Sequence, residues 1–445
     1  MKTPICDFAN AYAKSESLRL HMPGHKGNSF IGVEHLDLTE IEGADSLYEA
    51  DGIIAESEGY ASEIFGCKTY YSTEGSSQCI KAMMYLVALY AKKEGSTTPL
   101  ILAGRNAHKA FHSAVALLDI DVEWLYPKSA ENYLSCNIDA EYLSTILQGM
   151  DKKPTALYLT TPDYLGDMVE LNEIAKVCHK NGILLVVDNA HGAYLRFLPI
   201  SKHPMDLGAD MCCDSAHKTL PVLTGGAYLH LSKSIETDLY KSVKDALVLF
   251  GSTSPSYLIL QSLDAANSYL ENYSSRLAGY VSKVEKLKSE LEQNGYSFYG
   301  KEPLKITIEA KKYGYYGDEL AKILNEKGIV CEFADRDFVV LMLNDLIGDD
   351  GLDKIKKMLL SIDKKQEICE KTPAFKKTQR AISIRDARFS LFEELPIEEC
   401  LNRIAYSQSV GCPPAVPIIV AGEIIDQNVL ECFEYYNITT CKVVK

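Results

Sequence analysis

The sequence predicts an α/β fold, with a large domain built on a parallel sheet and a smaller α/β domain after it. Three observations predict it. Short apolar runs at Ile183–Val187 and Ala209–Cys213 each stop at polar residues, and enough chain separates them to cross one face of a sheet. Continuous apolar runs of this length read as parallel strands buried on both faces. Just upstream, Ala156–Thr160, Pro162–Asp167 and Leu171–Lys180 follow the order strand, loop, helix. From about Tyr296 the rhythm changes: PLKITIEA and DFVVLML read as strands, and KKYGYYGDELAKILNEKG and GLDKIKKMLLSI as helical stretches. At 445 residues the chain has room for more than one domain. The expected division is an arm and loop over 1–50, a large domain over 51–294, and a small domain with a tail over 295–445.

Residues 1–30 read as an ordered arm or loop, because Pro23 and Gly24 in HMPGHKG interrupt any regular element; a basic cluster of His21, His25 and Lys26 lies within it. A helix is expected over Ile53–Phe65, after the loop that holds Tyr48–Asp51. YYSTEGSSQ then ends a strand, turns at Glu74–Ser77 and enters a helix over about Gln78–Lys92. Backbone donors of Gly75, Ser76 and Ser77 at that helix start, with both serine hydroxyls, can bind a phosphate, and Glu74 is expected to point away. Leu100–Ala103 is a strand, followed by a polar turn with His108 and another helix. An imidazole in that turn either lies against a planar cofactor or caps the helix. A short strand in DVEWLYPKSAENY and a helical stretch around Asp139–Gln148 precede the unit at 156–180, which Asn181–Gly182 closes as a C-cap. Thr224–Gly226 forms a tight turn before the strand AYLHL, and Ser252–Ser256 leads into a long amphipathic helix. Lys364–Gln379 is a polar connection, after which SIRDARFSLFEE and GCPPAVPIIVAGE close the chain.

The ends of the two central runs carry the chemistry. Asp188 and His191 follow the first, and Ser215, His217 and Lys218 follow the second. Ligands of such sheets sit beyond the carboxyl ends of the strands, so both groups are expected to open into one crevice. The set suits pyridoxal phosphate: an aspartate holds the pyridine nitrogen protonated, a lysine forms the internal imine, and a hydroxyl and an imidazole reach the phosphate. Lys109 is the competing lysine, but it lacks the strand pairing that sets Lys218 against Asp188.

Composition narrows the function classes. An apolar fraction of 47% and a charged fraction of 24% are those of an ordinary globular protein. A net charge of −15, from 46 basic and 61 acidic residues, argues against nucleic-acid binding. No run approaches transmembrane length and MKTPICDFAN is not a signal peptide, so a cytoplasmic protein without membrane association is expected. The 13 cysteines lack metal-knuckle spacing, no metal is expected, and Cys212–Cys213 reads as reduced core packing.

Several separated blocks, LRLHMPGHKG, GRNAHKAFHSA, the SAHK segment and PPAVPIIVAGE from Pro413 to Glu423, resemble the Orn/Lys/Arg decarboxylase family, over most of the chain and in the expected order. The likeness is to short Gram-positive-type members within the aspartate-aminotransferase-like superfamily of pyridoxal-phosphate enzymes. It implies the fold-type-I large domain of those enzymes. It also implies ring stacking by His108, ring-nitrogen contact by Asp188 with support from His191, phosphate contact by Ser76, Ser77, Ser215 and His217, and covalent attachment at Lys218. Thr253 and Ser254 are implied to reach the phosphate of a neighbouring subunit, hence a homodimer or an oligomer of dimers. Tyr48, Asp163 and Glu423 are the substrate-binding candidates.

Some positions depart from the family pattern. Tyr48 and Ala50 stand where a histidine and a proline are usual, Gln78 where a small residue is, and Asp163 where an uncharged Thr or Asn is. Asn189 replaces an acidic residue, while Ala415 and Ala421 replace Gly and Pro.

The implied reaction is α-decarboxylation of arginine, lysine or ornithine, with polyamine metabolism as the setting. The rivals are another pyridoxal-phosphate reaction, namely aminotransferase, lyase or aldolase chemistry, and a catalytically weak regulatory homologue.

Overall fold

A computed structural model describes residues 2–96, 98–127, 132–235, 237–407 and 414–445. In chain order the elements begin with α1 (Pro4–Ala13), α2 (Ile53–Phe65), β1 (Lys68–Ser72), α3 (Gly75–Lys93), β2 (Leu100–Gly104), α4 (Lys109–Leu118), β3 (Asp121–Leu125) and α5 (Ala140–Gln148). They continue with β4 (Ala156–Thr160), α6 (Leu171–Lys180), β5 (Leu184–Asp188), β6 (Met211–Asp214), α7 (Ala216–Thr219), β7 (Ala227–Leu231), α8 (Thr237–Lys241), α9 (Val243–Val248), α10 (Tyr257–Leu270) and α11 (Tyr273–Gln293). The remainder is β8 (Phe298–Tyr299), β9 (Lys305–Glu309), α12 (Gly317–Glu326), β10 (Phe333–Ala334), β11 (Phe338–Met342), α13 (Gly348–Leu360), α14 (Ile384–Arg388), β12 (Phe392–Pro396), β13 (Ala405–Ser407), α15 (Gln427–Tyr435) and β14 (Thr440–Val444). The first seven strands form a sheet of order β1-β7-β6-β5-β4-β2-β3. Two compact units emerge, one of residues 1–99, 155–157 and 171–275, the other of residues 100–154, 158–170 and 276–445.

In the first unit β5 and β6 pair in parallel, with Val187 opposite Cys212 and Asp188 opposite Cys213. Every residue of both strands is buried, as continuous apolar runs require. Cys212 and Cys213 are buried free thiols within this ladder. β7 runs antiparallel to β6, and β1 antiparallel to β7. α6 turns Leu171, Ile174, Ala175 and Cys178 inward, the helical spacing of an amphipathic stripe.

The amino-terminal stretch contains a helix, α1, where a loop or arm was expected. Pro4 fits its first turn, where the missing N–H has no partner to lose. Its start is held from far along the chain: the backbone N–H groups of Ile5 and Cys6 donate to Asp264 Oδ2 at 3.0 and 2.9 Å. Ser57 Oγ donates to the other carboxylate oxygen at 2.5 Å. A carboxylate at a helix start satisfies orphan donors and meets the positive end of the dipole.

The second unit carries the parallel pair β2 and β3, an antiparallel sheet of order β10-β11-β9-β8, and a small sheet of order β12-β14-β13. The strands and helices expected after Tyr296 are present as β9, β11, α12 and α13. A core that includes Phe338, Val340, Ile397, Ile418, Phe433 and Val443 joins the two small sheets within this unit.

Two stability outcomes follow. Asp264→Ala strips the partner from three donors and is expected to cost about 2 kcal/mol, read by urea denaturation. Ala415 has φ of 58°, a left-handed conformation that Gly adopts without penalty. Ala415→Gly is therefore expected to raise stability by about 1 kcal/mol in the same assay; an unchanged or lower midpoint contradicts it.

Candidate active site

The central residues come together in the first unit. Asp188 ends β5 at 1% exposure, and its Oδ1 accepts from the backbone N–H of Ala190 at 3.2 Å. Lys218 lies on α7, five residues after Cys213, the register partner of Asp188. Its Nζ is 3.2 Å from His191 Nε2, so the turn after β5 and the helix after β6 meet through these two side chains. The parallel ladder makes that meeting possible: it ends both strands at one edge and sends both connections the same way.

A cradle lies beside this pair at the start of α3. Gly75 takes φ of 70° and donates its N–H to the Gly225 carbonyl at 2.7 Å. A Cβ built on Gly75 would lie 3.9 Å from His217 Cε1, which places that imidazole over the helix start. Ser215 Oγ donates to Ser76 Oγ at 2.7 Å, and Ser77 is the next residue of α3. His217 hydrogen-bonds the Gly226 carbonyl through Nδ1 at 2.9 Å, while burial, with a further contribution from Lys218, holds its pKa below the ordinary imidazole value. Glu74 is at the surface. The hydroxyl of Thr73, in the turn before α3, is buried and has no hydrogen-bond partner among the described residues. Buried hydroxyls are ordinarily satisfied, so this turn has capacity for an acceptor-rich group. Helix donors, serine hydroxyls, an imidazole, the Lys218 amine against His191 and a buried Asp188 at the end of β5 fit pyridoxal phosphate, whose phosphate needs the first three and whose ring and aldehyde need the last two.

Tyr48 belongs to the same unit but is engaged. Gln78 Nε2 donates to its hydroxyl at 3.0 Å and to the Leu247 carbonyl at 2.8 Å, and Gln78 Oε1 accepts from Ser72 Oγ at 2.5 Å. A Cβ on Gly251 would come within 2.1 Å of the Tyr48 oxygen, so the 251–254 turn can approach this closely only with glycine there. Asp45 shapes the loop that carries Tyr48: its carboxylate accepts N–H groups from Ser46, Asp51, Gly52, Ile54 and Ala55 at 2.8–3.3 Å. Burial works against the charge, but those donors outweigh it and bring the Asp45 pKa below its ordinary value. Sequence reasoning passed over Asp45, since five contacts from one side chain leave no periodic signal. Thr253 and Ser254 are exposed in their turn, and Ser256, not either of them, caps α10.

The remaining candidates lie in the second unit. His108 caps α4, its Nδ1 accepting from Ala110 N–H at 3.1 Å, and Lys109 is exposed. Asp163 is 4% exposed; Oδ1 accepts from the N–H groups of Leu165 and Asp167 at 2.9 and 2.8 Å, and Oδ2 accepts from Ser135 Oγ at 2.5 Å. Burial dominates those bonds and pushes its pKa up to about 7. Glu423 Oε2 accepts from Val420 N–H at 2.8 Å and from Arg105 at 3.2 Å. Arg105, itself 1% exposed, also donates to the carbonyls of Pro417 and Ile418 at 2.9 and 2.8 Å and so grips the tail segment. Pro413 lies outside the described residues. No helix among the described residues is long and apolar enough to cross a membrane.

Comparison with known proteins bears on the chain's family and fold. The chain is 29% identical to an arginine decarboxylase of Halalkalibacterium halodurans over 96% of its own length and 92% of the relative's. It is 27% identical to an arginine decarboxylase of Bacillus subtilis, covering 97% and 93% of the two chains. The crystal structure of a Francisella novicida lysine decarboxylase superposes with a TM-score of 0.81 at 17% identity, covering the whole of this chain and 81% of that one, so the α/β fold with its central sheet is shared. The family model described as Orn/Lys/Arg decarboxylase, major domain, matches residues 3–308, and with that match over more than half its length the chain belongs to the Orn/Lys/Arg decarboxylase family.

Proposed function

We propose that the protein is a pyridoxal-phosphate-dependent decarboxylase that converts a basic amino acid, arginine, lysine or ornithine, to its amine and carbon dioxide. The observation that carries this reading is the meeting of Lys218 with His191 beyond the ladder that ends in Asp188. When bound, pyridoxal phosphate supplies an electron sink for the pair left on the α-carbon as carbon dioxide departs. Asp188 keeps a proton on the ring nitrogen, because a buried carboxylate favours a cationic neighbour. Ser76, Ser77, Ser215 and His217 hold the phosphate, and the first-turn N–H groups of α3 add the helix dipole. Lys218 would hold the cofactor through its amine, and with His191 at 3.2 Å it would carry the proton delivered to the α-carbon. The family resemblance alone assigns His108 to stacking on the ring. The division into an arm, a large cofactor domain and a small domain is part of the same reading, as is a cytoplasmic setting in polyamine metabolism.

A homodimer follows on the same grounds. Leu18, Leu20, Phe30 and Ile31 are each at least 80% exposed, large apolar side chains that a monomer leaves wet at a cost. Thr253 and Ser254 are exposed as well, and we assign them to the neighbouring subunit's phosphate.

Borohydride reduction of the loaded protein followed by peptide mass mapping is expected to place the label on Lys218, and Lys218→Ala is expected to lose the cofactor's visible band and all turnover. A label on Lys109 contradicts the assignment. A panel scored for both carbon dioxide and amine is expected to give turnover on at least one of the three basic amino acids, with arginine or lysine above small neutral ones. Turnover only on a neutral amino acid rejects the substrate class; product formation only with a keto-acid partner rejects decarboxylation.

The shared site has its own test. Mixing Lys218→Ala with a Thr253→Val, Ser254→Ala double variant is expected to restore roughly a quarter of wild-type activity, since half the dimers are mixed and each has one intact site. No restoration between exchanging subunits contradicts it.

A further inference from the structure

Behind the Asp188–Lys218 pair lies a second polar cluster, with no exposed side chain. Asp214, the last residue of β6, is 0% exposed, as are His203, His230 and Asn189. Its Oδ2 accepts from His203 Nε2 at 3.0 Å and from His230 Nε2 at 3.1 Å, and its Oδ1 accepts from Asn189 Nδ2 at 2.7 Å. The tautomers agree with this bookkeeping. His203 Nδ1 accepts from the Met205 N–H at 3.4 Å, so its hydrogen is on Nε2. His230 Nδ1 lies 3.0 Å from Thr69 Oγ1 and 3.5 Å from Cys67 Sγ, so its second nitrogen is also hydrogen-bonded.

Cys212 points to the same side of β6 as Asp214, and ligand-type atoms of His203, Cys212, Asp214 and His230 all lie within 4.8 Å of one another. A metal centre is the alternative reading. Zinc binds thiolate sulfur and imidazole lone pairs. Here His203 directs a hydrogen rather than a lone pair inward, and burial drives the Cys212 thiol away from ionisation. The donor set fits a hydrogen-bonded carboxylate. Burial alone would raise the Asp214 pKa, but His203 and His230 outweigh it and hold the group ionised. Burial likewise opposes the charge on His230, yet Cys67 and Asp214 raise its pKa to about 9.

The cluster closes a circuit around the site. Asn189 links Asp214 to the turn after β5, and its carbonyl accepts the Gly192 N–H at 2.8 Å. A Cβ on Gly192 would fall 2.0 Å from Asn189 Oδ1, so the turn folds tightly over this side chain. His191 sits between Asn189 and Gly192 and reaches Lys218, which is four residues past Asp214 on α7. We propose that Asp214 is a positioning residue: through Asn189 it fastens the turn bearing Asp188 and His191 to the segment bearing Lys218, and two buried imidazoles hold it in place. The inference rests on the cofactor reading of Asp188 and Lys218.

Asn189→Ala removes the tie without changing charge, and Asp214→Asn removes its anchor. In cofactor-free protein, hydrogen exchange at residues 188–192 is expected to speed up at least tenfold in Asn189→Ala while far-UV circular dichroism is unchanged. In loaded protein the same variant is expected to weaken pyridoxal phosphate binding about tenfold and to move the pH midpoint of the bound cofactor's visible band by about one unit. A passive packing role would leave that midpoint alone. Should Asp214→Asn fail to fold, Asn189→Ala carries the test. Exchange and midpoint both matching wild type overturn the proposal, as does one equivalent of zinc surviving chelation in the purified wild type. Faster exchange in Asn189→Ala, with no visible band on the wild type given pyridoxal phosphate, supports the tie and sinks the cofactor reading instead.

Discussion

The register of β5 against β6 is the constraint on which the rest of the first unit depends. Side chains alternate along a strand, so a slip of one residue would turn Asp214 and everything after it to the opposite face. Apolar burial does not by itself prevent that slip here, because both strands are buried on both faces and the pattern lacks alternation. Polar ties at the two ends do. At the start, Asp210 Oδ2 accepts the Leu185 N–H at 2.7 Å and lies 3.1 Å from His179 Nε2, while the Asp210 N–H donates to the Leu185 carbonyl at 2.9 Å. At the far end, Asn189 bonds Asp214. The Leu185 and Asn189 bonds are buried and each ends on a carboxylate, and breaking one strands a buried acceptor, a penalty larger than the net gain of an ordinary hydrogen bond.

Elements that state their own burial were legible in the sequence. β4 and α6 match their expected bounds, Ala156–Thr160 and Leu171–Lys180, and α2 matches Ile53–Phe65, since an apolar run or a helical stripe is a local signal. α1 was not legible: its ten residues carry Pro4 at the start, and the group that fixes it, Asp264, lies more than 250 residues on. The β12-β14-β13 sheet was also hidden. Phe392–Pro396 alternates between exposed and half-buried and ends in proline, so it reads as a linker until β14, the carboxyl-terminal strand, pairs with it. For the site, residue type at a strand end pointed to Asp188 and Lys218. Nothing local pointed to His203 and His230, whose shared partner is Asp214.

The departures from the family pattern are not independent of one another in space. Tyr48 and Gln78, thirty residues apart and both unusual, hydrogen-bond at 3.0 Å, and both press against the position where Gly251 has no side chain. A larger residue in the first turn of α3 is accommodated because its amide is satisfied on every side by Ser72, Tyr48 and Leu247. Loop, helix start and the 251–254 turn are thereby locked into one arrangement within the first unit.

The acidic candidates show what a cationic substrate would have to compete with. Asp163 has both oxygens occupied by its own turn and by Ser135, and burial favours its neutral form up to about pH 7, so it offers a cation less charge than its residue type suggests. Glu423 is bound to Arg105, whose guanidinium is caged by Trp124, Tyr126 and Phe375 at 5.2–5.9 Å and cannot swing away without abandoning two carbonyls as well. A guanidinium or ammonium arriving at Glu423 would therefore share the carboxylate with Arg105, whose like charge opposes it.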